Sequence, residues 1–263
     1  MKITSLLVLL LLLVGTSCIP RKKITYLQEN EQAKDSLLPI LKKQEPYRLL
    51  VNDLISIRIK ALDEELNDIF NPVGNNDPNA TGEQRLYYDG FVVDPQGNVR
   101  IPKLGYVQVL GLTVDEVREK LEATLREDYF KEEANPFVTV KLAGIRYTIA
   151  GEIGGSGSNI IYRDQVTLVE AIANSGGVPI TGDLSDVVVI RQYPVGQKVH
   201  HIDLTSIDAM QSPYYNVQPN DLILINPLPQ KTLGTGTTGL ASFTTILSVL
   251  TALTTTILLF IRL

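Results

Sequence analysis

The sequence is poor in the residues that most often build catalytic and metal sites. Its 263 residues include one cysteine, two histidines and no tryptophan. A single cysteine cannot form an internal disulfide. His200 and His201 are adjacent, so in a strand they would point to opposite faces, and His201 with Asp203 gives too few ligands for zinc. We therefore predict neither an enzyme nor a metal or cofactor site.

Basic charge is scarce as well. Lysine and arginine number 24 against 29 acidic residues, which gives a net charge of −5. Nucleic-acid binding depends on clustered Lys and Arg at the phosphates, so this class of partner is disfavoured. Without tryptophan, only the pairs Tyr87–Tyr88 and Tyr214–Tyr215 offer aromatic platforms for a sugar. Tyrosine in strands and turns more often serves packing.

The single cysteine lies at the end of an apolar leader. Lys2 precedes an unbroken apolar run at residues 6–14, and small residues lead to Cys18. The run is too short to cross a bilayer, which needs about 20 residues in a helix, but it suits a cleaved signal. We predict a lipoprotein signal peptide at residues 1–17, lipidation of Cys18 and a polar tether at residues 18–46. The alternative is an ordinary secretory signal with an incidental cysteine.

The C-terminal segment, residues 240–263, is predicted to be a transmembrane or amphipathic helix. Residues 240–261 carry no charge, and a helix of that length can cross a hydrocarbon core about 30 Å thick. A spacing of four, three and four residues places one polar stripe on this helix. In a ring of such helices the stripe could face a shared aqueous lumen, whereas a single-pass anchor tolerant of threonine is the alternative. The candidate pore-facing residues are Thr244, Ser248, Thr251 and Thr255.

The middle of the chain predicts an α+β fold in two units. Alternating residues from Ile55 to Ile59 and at 137–142 indicate strands. Thr113 and Glu116 form a capping box that starts a helix between these two strands. The second unit begins at Tyr147 and continues into the glycine-rich residues 154–157, which lack the Lys and Ser/Thr of a phosphate-binding loop.

Three further features belong to the second unit. Thr167 and Glu170 form another capping box. Glu152, between an apolar strand and the glycine-rich turn, is predicted to have a structural role. Residues 219–225 repeat the pattern of residues 51–57, in which an Asn-Asp turn feeds a strand.

These sequence segments, in this order, resemble the polysaccharide biosynthesis/export family of outer-membrane lipoproteins. The opening phrase is Tyr47 to Ile57, with Asn52 where the family usually has Gly, and the most recognisable stretch is Val93 to Gly105. The second unit resembles a soluble-ligand-binding β-grasp (SLBB) module, with Ser156 where Pro is usual. The residues that match this module are Gly151-Glu152-Ile153, Gly157, Thr167-Leu168, Glu170-Ala171-Ile172 and Gly176-Gly177.

The resemblance implies an export domain of mixed strands plus one helix at 47–143, then the SLBB domain at 144–229 and the C-terminal membrane helix at 240–263. It also implies a homo-oligomeric ring in the outer membrane, with most of the chain in the periplasm. The ring would conduct capsular polysaccharide or exopolysaccharide and work with an inner-membrane polysaccharide co-polymerase, often coupled to a tyrosine kinase. The alternative is a lipid-anchored periplasmic saccharide-binding module or envelope scaffold that does not conduct.

Overall fold

A computed structural model of the chain describes residues 19–29, 46–60, 70–71, 90–129, 136–232 and 239–262. The predicted signal peptide, Cys18, most of the predicted tether, and Tyr87 and Tyr88 lie outside these ranges.

In the first unit the elements are β1 (Leu54–Lys60), β2 (Phe91–Val92), β3 (Asn98–Ile101), β4 (Gly105–Gln108), α1 (Val114–Asp128) and β5 (Phe137–Leu142). The second unit contains β6 (Ile145–Gly151), β7 (Gly157–Ile161), α2 (Leu168–Asn174), β8 (Gly182–Tyr193), β9 (Gly196–Ile202) and β10 (Asp221–Pro227). Helices α3 (Pro229–Thr232) and α4 (Gly239–Arg262) follow.

The first unit packs helix α1 against an antiparallel sheet with the strand order β2-β1-β5 and against the hairpin β3–β4. The alternation in β1 has the predicted effect, because Ile55, Ile57 and Ile59 are buried while their neighbours face outward. Burying each such side chain stabilises the fold by about 1.5–3 kcal/mol. The facing helix buries Val117, Leu121 and Leu125, which recur at a spacing of one helical turn.

Both predicted capping boxes are present. The Thr113 hydroxyl accepts from the amide of Glu116 at 3.1 Å, and the Glu116 carboxylate accepts from the amide of Thr113 at 2.9 Å. Thr167 and Glu170 form the same pair of reciprocal hydrogen bonds at the start of α2. Each cap satisfies amides that have no partner inside the helix, so the two helices begin where the sequence predicts.

The second unit is a five-stranded mixed sheet in the order β7-β6-β10-β8-β9, with helix α2 against it. Strand β10 pairs in parallel with β6, and the other neighbours are antiparallel. The buried Tyr147 joins helix to sheet, since its hydroxyl donates to the carbonyl of Ala171 at 2.8 Å. The observed fold is therefore mixed α+β, as predicted.

Part of the predicted tether is packed on the second unit. The amide of Leu27 donates to the carbonyl of Leu204 at 2.9 Å, and that of Gln28 donates to Thr205 at 2.7 Å. Tyr26 and Leu27 also contact the hydrophobic core of this unit. Their apolar side chains and backbone pairing explain why this stretch docks although its surroundings are polar.

The C-terminal segment forms the expected helix but not the expected membrane span. Helix α4 runs from Gly239 to Arg262. Among the residues that the structure describes, no helix is long and apolar enough to cross a membrane. The prediction of a transmembrane helix at 240–263 is corrected accordingly, and the serine and threonine hydroxyls that interrupt the apolar surface give the physical reason.

Candidate functional site

The two units meet through two turns of the same construction. Asn52 and Asn220 both adopt the left-handed conformation, with φ of 71° and 64°, which asparagine tolerates better than most residues. The aspartate that follows each of them, Asp53 or Asp221, is buried. Each carboxylate accepts from the amide three residues earlier, at 2.7 and 2.8 Å. The sequence echo between residues 51–57 and 219–225 therefore corresponds to a repeated turn.

The second turn donates directly to the first. The side-chain amide of Asn220 donates to Asp53 Oδ1 at 3.0 Å, and the hydroxyl of Tyr47 donates to Asp53 Oδ2 at 2.7 Å. Burial raises the pKa of Asp53, while its hydrogen bonds to Leu50, Tyr47 and Asn220 act in the opposite direction. Burial beside this carboxylate raises the pKa of the Tyr47 hydroxyl, so it remains a donor. Asp53 thus links two units whose contacting residues are far apart in sequence.

A small cavity lies beside this contact. It measures about 160 Å³ and is lined by Asn52, Asp53, Arg146, Ile160 and Asn220, among others. Pockets for small organic ligands measure about 300–1,000 Å³. The cavity at the junction is therefore too small for a typical pocket that binds a small organic ligand.

Asp221 forms a buried ion pair that the sequence analysis did not anticipate. Arg191 Nε donates to Asp221 Oδ1 at 3.0 Å, and Arg191 Nη2 donates to Oδ2 at 2.8 Å. The same Nη2 donates to the carbonyl of Asn216 at 2.8 Å. Burial raises the pKa of Asp221, and the guanidinium of Arg191 opposes this shift. The pair ties β8 to the turn before β10.

The tyrosine pair of this unit is engaged in packing. Tyr215 is buried. Tyr214 stacks on His200, with ring centroids 3.5 Å apart, and Arg191 lies 5.6 Å from the centre of the Tyr214 ring. These contacts occupy the surfaces that a sugar would use, so the interpretation of Tyr214 and Tyr215 as packing residues is the one that the geometry supports.

Two comparisons with known proteins bear on this two-unit arrangement. Residues 41–143 match the family described as polysaccharide biosynthesis/export protein, and residues 146–225 match the SLBB domain. The chain therefore carries a polysaccharide biosynthesis/export domain followed by an SLBB domain. The description of this family is that of an export protein, which agrees with the prediction of a transport role and not of an enzyme.

Curated relatives show the same relationship. The chain is 29% identical over 167 residues to the EPS I polysaccharide export outer membrane protein EpsA of Ralstonia solanacearum, an alignment covering 58% of this chain and 41% of the relative. The protein of the same name from Ralstonia nicotianae is 28% identical over 158 residues, covering 58% of this chain and 40% of the relative. The chain thus spans about two fifths of the length of these relatives.

The most recognisable family stretch, residues 93–105, forms a tight hairpin. Asp94 Oδ1 accepts from the amide of Asn98 at 2.8 Å, which closes the turn before β3. Gly97 has φ of 84°, and a Cβ added there would lie 2.5 Å from the Cβ of Leu110. This position requires glycine for both its conformation and its close packing. The residues that carry the family resemblance here have structural roles.

The glycine-rich segment and Glu152 are structural too. The amide of Gly154 donates to the carbonyl of Gly177 at 2.9 Å and that of Gly155 donates to Ser175 at 2.7 Å, so this turn closes the end of α2. Glu152 accepts from the Thr181 hydroxyl at 2.7 Å and from Lys231. These hydrogen bonds, that of Lys231 above all, lower the pKa of Glu152. Glu152 therefore joins the end of β6 to helix α3.

The histidines lie as predicted on opposite faces of β9. His200 is buried, and desolvation followed by the charge of Lys198 lowers its pKa. His201 is exposed and contacts Asp186 at 2.6 Å, with Asp203 outside this pair. Within the described ranges, no group of three or more His, Cys, Asp and Glu side chains could hold a metal ion.

The candidate pore-facing residues lie on the described part of α4. The hydroxyls of Ser248, Thr251 and Thr255 donate to backbone carbonyls one turn earlier, at 2.7, 2.9 and 2.6 Å. This back-bonding satisfies each hydroxyl hydrogen and leaves an oxygen lone pair as an acceptor. All three side chains, and that of Thr244, are exposed in the single chain.

Proposed function

We propose that this protein is a subunit of an outer-membrane channel that exports capsular polysaccharide or exopolysaccharide from the periplasm to the cell surface. The observation that carries the proposal is the order of its domains, in which the export match at 41–143 precedes the SLBB match at 146–225. The relatives named as EPS I polysaccharide export outer membrane proteins support the same substrate class and location. The working boundaries of the two domains are residues 47–143 and 144–229.

In this proposal a signal peptide at residues 1–17 is removed and Cys18 carries the lipid that holds the chain at the outer membrane. The docking of Leu27 on Leu204 supports a specific orientation. Leu27 lies nine positions after Cys18, and an extended chain of that length reaches about 30 Å. The part of the SLBB domain around Leu204 therefore stays within about 30 Å of the lipid, and most of the chain lies in the periplasm.

The assembled form in this proposal is a homo-oligomeric ring, which works with an inner-membrane polysaccharide co-polymerase, often coupled to a tyrosine kinase. Thr244, Ser248, Thr251 and Thr255 face the axis of that ring. Their spacing of four, three and four residues, which places them on one face of α4, supports this position, since hydroxyl oxygens suit a surface wetted by a passing saccharide.

The test is deletion of the gene in its source strain, followed by complementation. We expect the deletion strain to lose surface polysaccharide and to accumulate polymer in the periplasm, and the wild-type gene to restore export. Undiminished surface polysaccharide after deletion would contradict the proposal. Loss of polymer synthesis without periplasmic accumulation would favour a scaffold for the synthetic machinery instead.

Lipidation is tested with Cys18→Ser, and Ser17→Ala is the matched control because it keeps a small residue before the cysteine. We expect Cys18→Ser to impair sorting and assembly while residues 47–227 still fold. Sorting is measured by membrane fractionation of cells. Assembly and folding are measured on the detergent-extracted protein by light scattering and circular dichroism, respectively. Unfolding of the domains in Cys18→Ser, or normal sorting of that variant, would show the assigned role of the lipid to be wrong.

A further inference from the structure

The outer face of the export-domain sheet carries a cluster of cations. One face of the sheet β2-β1-β5 covers the hydrophobic core, and the opposite face is open. Arg58 and Lys60 on β1 and Lys141 on β5 occupy the open face. Arg58 pairs with Thr139, and Ser56 pairs with Lys141. Arg58 and Lys141 are therefore diagonal neighbours, a placement in which long side chains reach one another.

No carboxylate contacts these cations in the part of the chain that the structure describes. Arg58, Lys60 and Lys141 take part in no ion pair within the described part of the chain, whereas other cations, such as Arg48 and Arg118, contact carboxylates. The cluster is also unusual because the chain as a whole has a net charge of −5. Like charges placed close together repel, so this arrangement carries a cost that an anionic partner would remove.

Arg58 and Lys141 of this cluster line a groove between the two domains. The groove has a volume of about 330 Å³, and its floor is the open sheet face with Arg58, Thr139 and Lys141. Its wall comes from the segment after β7, which contributes Tyr162 and Asp164. The volume lies at the lower end of the range for sites that hold a small organic molecule.

The wall of the groove contributes an exposed aromatic ring and two further charged residues. Tyr162 is 54% exposed, so its ring offers an amphipathic surface of the kind that sugar rings contact. Arg163 also lines the groove, but it contacts Glu170 at 3.1 Å, so its charge is already compensated. Asp164 is the one carboxylate of the lining. The net charge that the groove offers to a ligand is therefore positive and comes from Arg58 and Lys141.

We propose that this groove binds a carboxylate-bearing sugar unit, so that the exported polymer is an acidic, uronate-containing polysaccharide. The proposal rests on the export function proposed above and specifies its substrate class. The carboxylate lies between Arg58 and Lys141, and the sugar ring lies against Tyr162. Because exposed ion pairs are weak and screened by salt, each sugar unit is held briefly and released. Such weak binding suits a conduit.

The test uses the purified full-length lipoprotein and fluorescently labelled oligogalacturonate, with a maltooligosaccharide of equal length as the neutral probe. Binding is measured by fluorescence anisotropy at low and at raised salt. We expect the wild-type protein to bind oligogalacturonate more tightly than the neutral probe, with an affinity that falls as salt rises. In Arg58→Gln/Lys141→Gln the affinity should fall roughly 2- to 25-fold, because each exposed pair contributes about 1.4- to fivefold.

Arg100→Gln/Lys103→Gln is the matched control. It removes the same amount of charge from exposed residues of the β3–β4 hairpin, outside the groove. Arg58→Lys/Lys141→Arg keeps the charge and should retain binding. A loss of affinity equal in the control and in the groove variant would overturn the proposal, because net charge alone would then account for binding. Equal affinity of the wild-type protein for the acidic and the neutral probe would overturn it as well.

The groove could instead be a contact between copies of the chain, and light scattering on the same samples separates the two cases. A groove variant that changes subunit number but binds oligogalacturonate normally would refute the saccharide site. Failure of the site is also distinguishable from failure of the export function. Unchanged binding in Arg58→Gln/Lys141→Gln refutes only the site, whereas normal surface polysaccharide in the deletion strain refutes the export function on which the site depends.

Discussion

Replacing Arg191 by methionine is the most informative test of how the SLBB domain is held together. The side chains of Arg191 and Asp221 are 4% and 0% exposed and share two hydrogen bonds of 3.0 and 2.8 Å. Methionine keeps much of the apolar stem but leaves the Asp221 carboxylate and the Asn216 carbonyl buried without the guanidinium. Removing one partner of a buried pair costs about 3–5 kcal/mol. If the two domains unfold together, this loss of stability corresponds to a fall in Tm of roughly 6–20 °C.

The pH dependence of the loss identifies its cause. Burial already raises the pKa of Asp221, and Arg191 is a group that opposes this rise. In Arg191→Met the pKa of the folded state therefore rises further above that of the unfolded chain. A folded state that binds the proton more tightly loses stability as pH increases. The deficit of the variant should be smallest near pH 2–3, below the unfolded aspartate pKa of about 3.9, where the carboxyl is protonated in both states, and should grow as pH rises toward neutrality.

The assay is urea denaturation followed by circular dichroism at several pH values, with Arg163→Met as the control. Arg163 also pairs with a carboxylate, but its side chain is 65% exposed, so its loss should cost about 1 kcal/mol or less. The reasoning is refuted if Arg191→Met costs no more than Arg163→Met. It is also refuted if the deficit of Arg191→Met is largest in acid.

Three further predictions concern stability. Gly151→Ala should destabilise by about 2–4 kcal/mol in urea denaturation, because φ is +95° and the new Cβ would lie 2.1 Å from the Ile225 carbonyl oxygen. Thr113→Ala should cost about 1 kcal/mol in the same assay by removing the cap of α1. Glu152→Gln should weaken the contact with Lys231 and flatten the acid limb of a stability profile against pH. The lowered pKa of Glu152 gives stability that is present above its unfolded pKa and lost as pH falls through the folded pKa.

Each of these predictions has a control or a contradicting result. Gly157→Ala is the counterpart of Gly151→Ala, since φ is also positive there but no atom lies within 4 Å of the added Cβ; an equal loss at both positions would mean that the clash is irrelevant. Thr113→Ser keeps the capping oxygen and should be close to wild type. A Glu152→Gln protein with an unchanged acid limb would show that this carboxylate does not influence stability.

Local features of the fold were predictable from sequence because their causes are local. A capping box is complete within four residues, so Thr113 and Thr167 could be assigned to helix starts without knowledge of the fold. The alternation of apolar and polar residues along β1 likewise predicts which face of the strand is buried. The membrane span was the local prediction that failed, because the threonines of α4 lower the apolarity of a segment whose length and lack of charge suggest a span.

The nonlocal features escaped the sequence analysis. The parallel pairing of β10 with β6 depends on how the whole sheet is ordered, and no pattern within either strand encodes it. The contact of Asn220 with Asp53 joins residues 167 positions apart. The outward-facing positions of Arg58 on β1 and Lys141 on β5 follow from the alternation of these strands, but their proximity to Tyr162 depends on the packing of a second domain.

The repeated Asn-Asp turn explains how that packing is fixed. In both turns one carboxylate oxygen accepts from the local backbone, which leaves the other oxygen for a distant partner. Asp221 uses it for Arg191 inside its own domain, and Asp53 uses it for Asn220 of the other domain. Only Ala143 and Gly144 separate β5 from β6, so the covalent link is short as well. With both connections in place the groove wall cannot move far from its floor, and a polymer would meet a surface that is already formed.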